Sequence, residues 1–184
     1  MPNYLNRVVY SARTMDQLKS IGTSNRDCLE ISGTQWRDLD WASYKDLHYP
    51  DYDICSANSE LSDAYEMVMA DMVWEHLERP YQATKNVYKM LRDEGCFWLA
   101  TPFFAKQHNA PVDCSSWSAR GLKNLLIECG FDEDKIETYS WGNRNAARKD
   151  MRGHAGRWGI YDPETDPLDD DPNFPIVSWG VARK

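Results

Sequence analysis

The chain lacks long apolar runs, and this absence excludes a membrane-spanning protein. No window approaches the roughly 18 unbroken apolar residues that a membrane helix needs. The amino-terminal segment, MPNYLNRVVYSARTMD, also lacks the apolar core of a secretory signal. We therefore expect a soluble, cytoplasmic protein with no membrane partner.

Cysteine is sparse and scattered, which argues against both a disulfide framework and a cysteine-based zinc site. The count is odd and no CxxC pair occurs, so we expect free thiols and no bound metal. The five residues are Cys28, Cys55, Cys96, Cys114 and Cys129.

Basic residues are outnumbered, with 21 Lys and Arg against 29 Asp and Glu, giving a formal net charge of −8. Proteins that hold nucleic acid through its phosphates do so with clustered Lys and Arg. A nucleic-acid partner is therefore disfavoured, and a small ligand is favoured.

What the chain does contain is typical of one globular α/β domain. It has 184 residues, 42% of them apolar and 27% charged, which is enough for a single core. Thr14 and Gln17 have the spacing of a capping box and Gly22 suits a helix C-cap, so a helix is predicted at 14–21. Three short apolar runs in this half predict strands at 28–32, 44–47 and 52–55.

The middle of the chain predicts a strand, a helix and a second strand in succession. The strands cover 65–70 and 96–100, and the helix begins at Pro80. Its apolar residues repeat at helical spacing and are Ala83, Val87, Met90 and Leu91. This order is that of a right-handed βαβ unit in a parallel sheet.

The last third predicts a helix from Ser118 to Gly130 and strands at 135–141 and 174–182. Between these strands lies a segment, 143–173, that is too long for a hairpin and too polar to belong to the core. Its basic residues are Arg144, Arg148, Lys149, Arg152 and Arg157, and its acids cluster at 162–171. The two groups would either pair with each other or serve a ligand.

Three motifs then resemble the second half of small class I S-adenosylmethionine-dependent methyltransferases. They are Met69-Ala-Asp-Met-Val-Trp-Glu-His-Leu-Glu-Arg-Pro80, Val87-Tyr-Lys-Met-Leu-Arg-Asp-Glu-Gly95 and Phe97-Trp-Leu-Ala-Thr-Pro102. The resemblance implies a Rossmann-like sheet, mostly parallel with an antiparallel last strand, and helices on both faces. It also implies S-adenosylmethionine as cofactor, bound at the carboxyl edge of the sheet.

The same resemblance implies a set of cofactor-binding residues. Glu30, Ser32 and Gly33 correspond to the start of the glycine-rich loop, although Thr-Gln-Trp-Arg follows where the family has further glycines. Asp46, or as a second choice Asp53, would accept the ribose hydroxyls. Asn58 would face the adenine, and Asp71 would stand at the cofactor edge.

On the acceptor side, His108 and Asp113 follow strand 96–100 and are candidate catalytic residues, as base or as orienting groups. Glu75 and His76 are open to two interpretations: a catalytic or metal-binding pair, or a helix start with a favourable charge. Segment 143–173 would return to the cofactor edge and form a lid over the acceptor.

We therefore expect methyl transfer to an oxygen or nitrogen of a small-molecule or glycan-like acceptor. Two alternatives remain open because the glycine-rich loop is incomplete. One is a catalytically inactive protein of this fold that acts as a binding or scaffold partner. The other is an enzyme that cleaves S-adenosylmethionine.

Overall fold

The computed structural model describes residues 4–56, 61–108, 111–152 and 159–184. Its helices are α1 (Leu5–Ile21), α2 (Pro80–Met90), α3 (Ala119–Glu128) and α4 (Arg144–Arg152). Its strands are β1 (Asp27–Ile31), β2 (Ser43–Leu47), β3 (Tyr65–Asp71), β4 (Leu91–Pro102), β5 (Ile136–Trp141) and β6 (Val177–Arg183). Within the described ranges, no helix is long and apolar enough to cross a membrane.

The six strands form one sheet in the order β2-β1-β3-β4-β6-β5. The first four in this order are parallel, and β6 runs antiparallel to both β4 and β5. The predicted Rossmann-like sheet with an antiparallel last strand is thereby confirmed. Because Pro102 pairs with Val177, and Trp141 also pairs with Val177, the carboxyl ends of β4 and β5 lie at one edge with the start of β6.

Helices cover both faces of the sheet, and successive strand residues alternate between two cores. On β4, Phe97 and Leu99 pack in the core formed with α2 and α3, whereas Trp98 packs in the core formed with α1 and α4. A strand buried on both faces has a continuous apolar run, which is why the sequence predicts strands at 65–70 and 96–100. The second strand begins earlier than predicted: Leu91, expected on the apolar face of the helix, is the first residue of β4.

The amino-terminal helix is much longer than predicted. It starts at Leu5 rather than Thr14, so the prediction of a capping box at Thr14 is wrong: that side chain is buried within the helix. Leu5 and Val9 in the unpredicted turns pack on the sheet, and this tertiary burial outweighs the local capping signal. The predicted end is confirmed, since Gly22 has φ 77° and its N–H donates to the Leu18 carbonyl.

The strand predicted at 52–55 does not form. A turn takes its place, in which Tyr52 N–H donates to the His48 carbonyl and the Asp53 carboxylate accepts from Cys55 N–H at 2.8 Å and from the Ser56 hydroxyl at 2.7 Å. Because the Asp53 carboxylate accepts hydrogen bonds within its own turn, it stabilises the turn over the extended backbone that strand pairing needs.

Residues 33–41 contain turns and no helix. Trp36 covers the sheet here instead. Its ring is buried and meets Trp98 edge-to-face, with 5.2 Å between ring centroids.

The expectation that 143–173 is too polar for the core is wrong. Its first part is α4, capped by Asn143, whose Oδ1 accepts from Ala146 N–H at 2.9 Å. Ala146 and Ala147 are buried in the core shared with α1. The basic and acidic groups pair in part, through Lys149 with Asp166 and Arg144 with Asp171, while Arg157 lies outside the described residues.

Candidate functional site

A cleft opens at the carboxyl edge of the sheet, where β1 and β3 lie side by side. The chain leaves β1 toward β2 on one side and β3 toward β4 on the other, so this is the point where strand order reverses. Open α/β sheets bind ligands at such a point. Its volume is about 620 Å³, within the range of small-molecule sites. The described lining includes Ser32, Tyr52, Asp53, Met72, Val73 and His76.

Glu30, near the end of β1, organises the loop that borders the cleft. Its carboxylate is fully buried and accepts from the backbone N–H groups of Gln35 at 2.8 Å and Trp36 at 3.0 Å. The Tyr44 hydroxyl donates to it at 2.7 Å, and burial together with this bond raises the pKa of that phenol. Glu30 therefore holds the loop after β1 in place, and within the described residues its carboxylate does not line the cleft.

The two residues after β1 differ in what they do. Ser32 lines the cleft and has φ 53°, a left-handed conformation that normally favours glycine. Gly33 does not line the described cleft; a β-carbon there would lie 2.5 Å from Oε1 of Glu30. A side chain at position 33 would therefore displace the Glu30 carboxylate. Although the sequence lacks the further glycines of the pattern, the backbone still makes a left-handed turn, at Ser32.

Of the two predicted ribose acids, only Asp53 lines the cleft. Asp46 lies on the edge strand β2, where its carboxylate accepts from Arg37 at 2.6 Å and contacts His48 at 2.9 Å. The hydrogen bond from Arg37 lowers the pKa of Asp46. Both acids accept hydrogen bonds from neighbouring groups, and what separates them is that Asp46 lies outside the cleft lining. Beside Asp53, the Tyr52 hydroxyl is buried and has no hydrogen-bond partner among the described residues.

Asp71 stands at the cofactor edge by its backbone, but its carboxylate turns away from the cleft lining. It is buried against α1, where Oδ1 accepts from the Tyr10 hydroxyl at 2.9 Å and Oδ2 lies 3.5 Å from Arg7. Burial raises the pKa of Asp71. Its carboxylate thus ties α1 to the sheet. Asn58, the predicted adenine contact, lies outside the described residues.

A second group of side chains adjoins the cleft through His76. Glu75, His76 and His108 each offer a ligand atom, and these atoms lie within 4.8 Å of one another. The two imidazole ring centroids are 5.1 Å apart, and His108 Nδ1 lies 3.6 Å from Asp113. The predicted acceptor-side pair, His108 and Asp113, is thus brought together with Glu75 and His76, which the sequence had left open.

Glu75 and His76 belong to a short 3-10 turn, 74–76, immediately after β3. Burial raises the pKa of Glu75 to about 8, and its Oε2 has no partner among the described residues. Burial lowers the pKa of His76, which favours the neutral imidazole. The Glu75 carbonyl accepts from Cys114 N–H at 2.7 Å and Ser115 N–H at 3.2 Å, which fastens the loop after β4 to this turn.

Sequence reasoning missed the residues that α1 and the β1 loop contribute. Arg7 donates to Gln35 Oε1 at 2.9 Å and contacts Asp71, so it connects α1 to the loop after β1 and to the end of β3. The only available signal was the apolar spacing of Leu5 and Val9, which indicates a helix but not its partners. Side chains that meet across distant segments leave no periodic signal.

No protein-family model matches the chain, and no curated protein matches it by sequence. Solved structures do match. A methyltransferase dependent on S-adenosylmethionine (SAM), from Archaeoglobus fulgidus, has a TM-score of 0.62 at 13% identity, with 97% of this chain and 94% of that chain covered. Phosphoethanolamine N-methyltransferase 2 of Haemonchus contortus, in complex with SAM, has a TM-score of 0.59 at 11% identity, with 94% and 52% covered. The [4+2]-cyclase SpnF has a TM-score of 0.56 at 14% identity, with 94% and 80% covered.

The chain has the fold of SAM-dependent methyltransferases. Because one of these neighbours is a cyclase, the methyltransferase fold alone does not determine the reaction. The activity must be argued from the cleft and from the side chains beside it.

Proposed function

We propose that this protein transfers a methyl group from SAM to an oxygen or nitrogen of a small-molecule acceptor. The observation that carries the proposal is the position of the cleft. It opens between the ends of β1 and β3, where the strand order reverses, and the group of Glu75, His76 and His108 adjoins it. One region therefore suits a nucleoside cofactor, and the adjoining region offers groups for an acceptor.

The residues of the cleft fit SAM in size and in polar groups. The Tyr52 hydroxyl is a buried donor and acceptor without a partner among the described residues, and burial raises its pKa. Asp53 beside it offers carboxylate oxygens, which suit the paired hydroxyls of a ribose. We assign cofactor binding to Ser32, Tyr52 and Asp53, with Glu30 and Gly33 supporting the loop and Asp46 and Asp71 in structural roles.

When bound, SAM supplies a methyl group made electrophilic by its sulfonium. The chain has to hold the acceptor in line with that methyl and to accommodate the acceptor's proton. His108, with the Asp113 carboxylate 3.6 Å from Nδ1, is placed to orient the acceptor or to accept that proton. Asp113 also accepts from the His108 backbone N–H at 3.2 Å, so the loop conformation and the imidazole position are coupled.

We extend the proposal to segment 143–173, as the acceptor lid of a single methyltransferase-like domain. Both ends of the segment emerge at the carboxyl edge of the sheet, since β5 ends and β6 begins there. A second, more apolar cleft of about 420 Å³ lies between this segment and the end of β4. Its lining includes Phe103, Phe104, Arg144 and Arg148, a combination suited to an apolar acceptor that carries an anionic group.

Calorimetric titration with SAM and S-adenosylhomocysteine tests the proposal. We expect saturable binding of both, and Tyr52→Phe should weaken it about twofold to tenfold because one hydrogen bond is lost. Tyr81→Phe, at an exposed tyrosine outside the cleft lining, is the matched control and should bind like the wild type.

Absence of heat with either cofactor, in protein shown to be folded, would overturn the methyltransferase proposal in favour of a scaffold protein. If chromatography instead shows that bound SAM is broken down without any acceptor, the protein is a SAM-cleaving enzyme. Release of S-adenosylhomocysteine only when an acceptor is added would support methyl transfer.

A further inference from the structure

Two imidazoles and one carboxylate converge beside the cleft in the arrangement of a metal site. The ligand atoms of Glu75, His76 and His108 lie within 4.8 Å of one another, and His76 is itself part of the cleft lining. In a tetrahedral zinc site with bonds near 2.0–2.1 Å, neighbouring ligand atoms are roughly 3.3 Å apart. His76 Nε2 and Glu75 Oε1 are already 3.8 Å apart, so small side-chain rotations would complete the set.

His76 is oriented as a metal ligand. Its Nδ1 hydrogen-bonds the Val112 carbonyl, and because a carbonyl only accepts, Nδ1 carries the proton. The lone pair of the neutral ring is then on Nε2, the nitrogen that faces Glu75. A backbone carbonyl that fixes the second ring nitrogen is a usual outer-shell partner of a metal-bound histidine.

Glu75 provides an independent sign of a missing partner. It is 1% exposed, and its Oε2 has no hydrogen-bond partner among the described residues. A buried carboxylate oxygen without a partner is costly, and coordination of a cation is one of the few ways to satisfy it.

The backbone around these side chains is held in place by its own hydrogen bonds. Cys114 N–H and Ser115 N–H both donate to the Glu75 carbonyl, and the Cys114 thiol contacts the His76 carbonyl oxygen at 3.6 Å. The loop that carries His108 is therefore fixed against the turn that carries the other two ligands.

We propose that Glu75, His76 and His108 bind a divalent transition-metal ion, Zn²⁺, Mn²⁺ or Fe²⁺, with at least one coordination position open toward the cleft. Two histidines and one carboxylate are a ligand set that such ions use when a further position is left for water or substrate. This assignment replaces the expectation, drawn from the cysteine pattern, that the protein binds no metal.

A metal ion here would also narrow the acceptor class. This step rests on the proposed methyl transfer. An acceptor hydroxyl bound at the open position would have its pKa lowered and lose its proton to water. Its oxygen lone pair would then form the bond to the methyl carbon, while the electron pair of the breaking carbon–sulfur bond stays on sulfur. His108 would act as a ligand rather than as the base, and the acceptor would be a hydroxyl compound.

The metal site is tested first on the protein alone, without SAM or acceptor. Untagged protein is first stripped of metal with a chelator. It is then titrated with Co²⁺, with binding measured by visible absorption, and separately with Zn²⁺, with binding measured by calorimetry. We expect a single ion per chain. Glu75→Gln, His76→Ala and His108→Ala should each weaken binding by about tenfold or more. Circular dichroism of each variant checks that it is folded, and Glu75→Gln keeps the shape of the side chain.

Two variants serve as matched controls. His48→Ala removes an exposed histidine that is paired with Asp46, and Glu128→Gln makes the same exchange as Glu75→Gln at an exposed glutamate away from the site. Both should bind Co²⁺ like the wild type. Failure of the wild type to bind, or binding that is unchanged in His108→Ala, would overturn the metal proposal.

SAM titration of the chelator-treated protein separates this proposal from the proposed function. The cofactor contacts assigned above do not involve the three ligands, so we expect SAM to bind both with and without metal. Co²⁺ binding without SAM binding would support the metal site and overturn methyl transfer. SAM binding without Co²⁺ binding would overturn the metal site and leave the proposed methyl transfer standing.

Discussion

A β-carbon on Gly33 would lie 2.5 Å from Oε1 of Glu30, closer than such atoms approach in folded proteins. That oxygen accepts from Gln35 N–H, and the other carboxylate oxygen accepts from Trp36 N–H. The loop between β1 and β2 therefore closes over a buried carboxylate, and a β-carbon at position 33 would displace that carboxylate from its hydrogen bonds.

Gly33→Ala should consequently destabilise the protein itself. Displacing Glu30 strains the loop or breaks its hydrogen bonds, and we expect the free energy of unfolding to fall by ~1–3 kcal/mol. Gly121→Ala is the control: its β-carbon would meet only ordinary contacts at 3.4 Å and 3.6 Å, and alanine favours the helix. Urea denaturation of both variants measures the difference. An unfolding curve for Gly33→Ala that matches the wild type would show that the loop readily yields.

The ribose assignment yields a second prediction. Asp53→Ala should weaken SAM binding by ~1–3 kcal/mol, because a charged acceptor of hydrogen bonds is lost from the cleft. Asp46→Ala should leave SAM affinity unchanged, since Asp46 lies outside the cleft lining and its carboxylate is held by Arg37 and His48. Asp51→Ala is a further control at an exposed neighbour. A sensitive Asp46 with a silent Asp53 in calorimetry would restore the assignment made from the sequence.

The contrast between these two acids shows what the sequence can predict. Strand β3 and residues 96–100 of β4 are predictable because both faces are buried there, so their apolar runs are continuous. The exposed, charged start of β4 at 92–94 has no such run. The placement of Asp46 and Asp53 could not be read in this way, because it depends on whether residues 52–55 pair as a strand or close as a turn. Hydrogen bonds of Asp53 to its own turn decide that, and they leave no periodic signal.

The group of Glu75, His76 and His108 shows the same contrast between what the sequence predicts and what it does not. In the sequence, Glu75 and His76 come shortly after a predicted strand and before Pro80. This order predicts that both residues lie at the carboxyl edge of the sheet, as they do. Their convergence with His108, 32 positions further along the chain, depends on how the loop after β4 folds back onto the 3-10 turn. Only the three-dimensional structure shows that contact.

Asp150 gives a prediction about pH. Burial raises its pKa to about 6 from the ordinary 3.8, so the folded state binds more protons than the unfolded state between these values. The stability that Asp150 contributes is present below pH 3.8 and is lost as the pH rises through 6. Asp150→Asn keeps an oxygen to accept from Gly159 N–H and removes the buried charge.

Asp150→Asn should therefore be more stable than the wild type at pH 8, by ~1–3 kcal/mol, with a smaller difference at pH 5. Denaturant titrations of both proteins at the two pH values measure it. Asp169→Asn, at an exposed position in the same segment, should show no such pH-dependent gain. A wild type and an Asp150→Asn variant whose stabilities differ equally at both pH values would show that Asp150 titrates normally.

The last prediction concerns segment 143–173, which we propose as the acceptor lid. Ala146 is fully buried in the core shared with α1 and the sheet, and Asn143 donates to the carbonyls of Pro167 and Asp169. The segment is thus built on a helix that belongs to the core.

Ala146→Asp should accordingly destabilise the protein by more than ~3 kcal/mol, because it places an unpaired charge among apolar side chains. Arg148→Asp introduces the same side chain two positions further along α4, where it is exposed, and should change the free energy of unfolding by less than ~1 kcal/mol. For the same reason, replacing residues 144–173 with a Gly/Ser linker should abolish cooperative thermal unfolding. Equal stability of the two aspartate variants would mean that α4 does not pack on the core, and the whole segment could then be removed without loss of the fold.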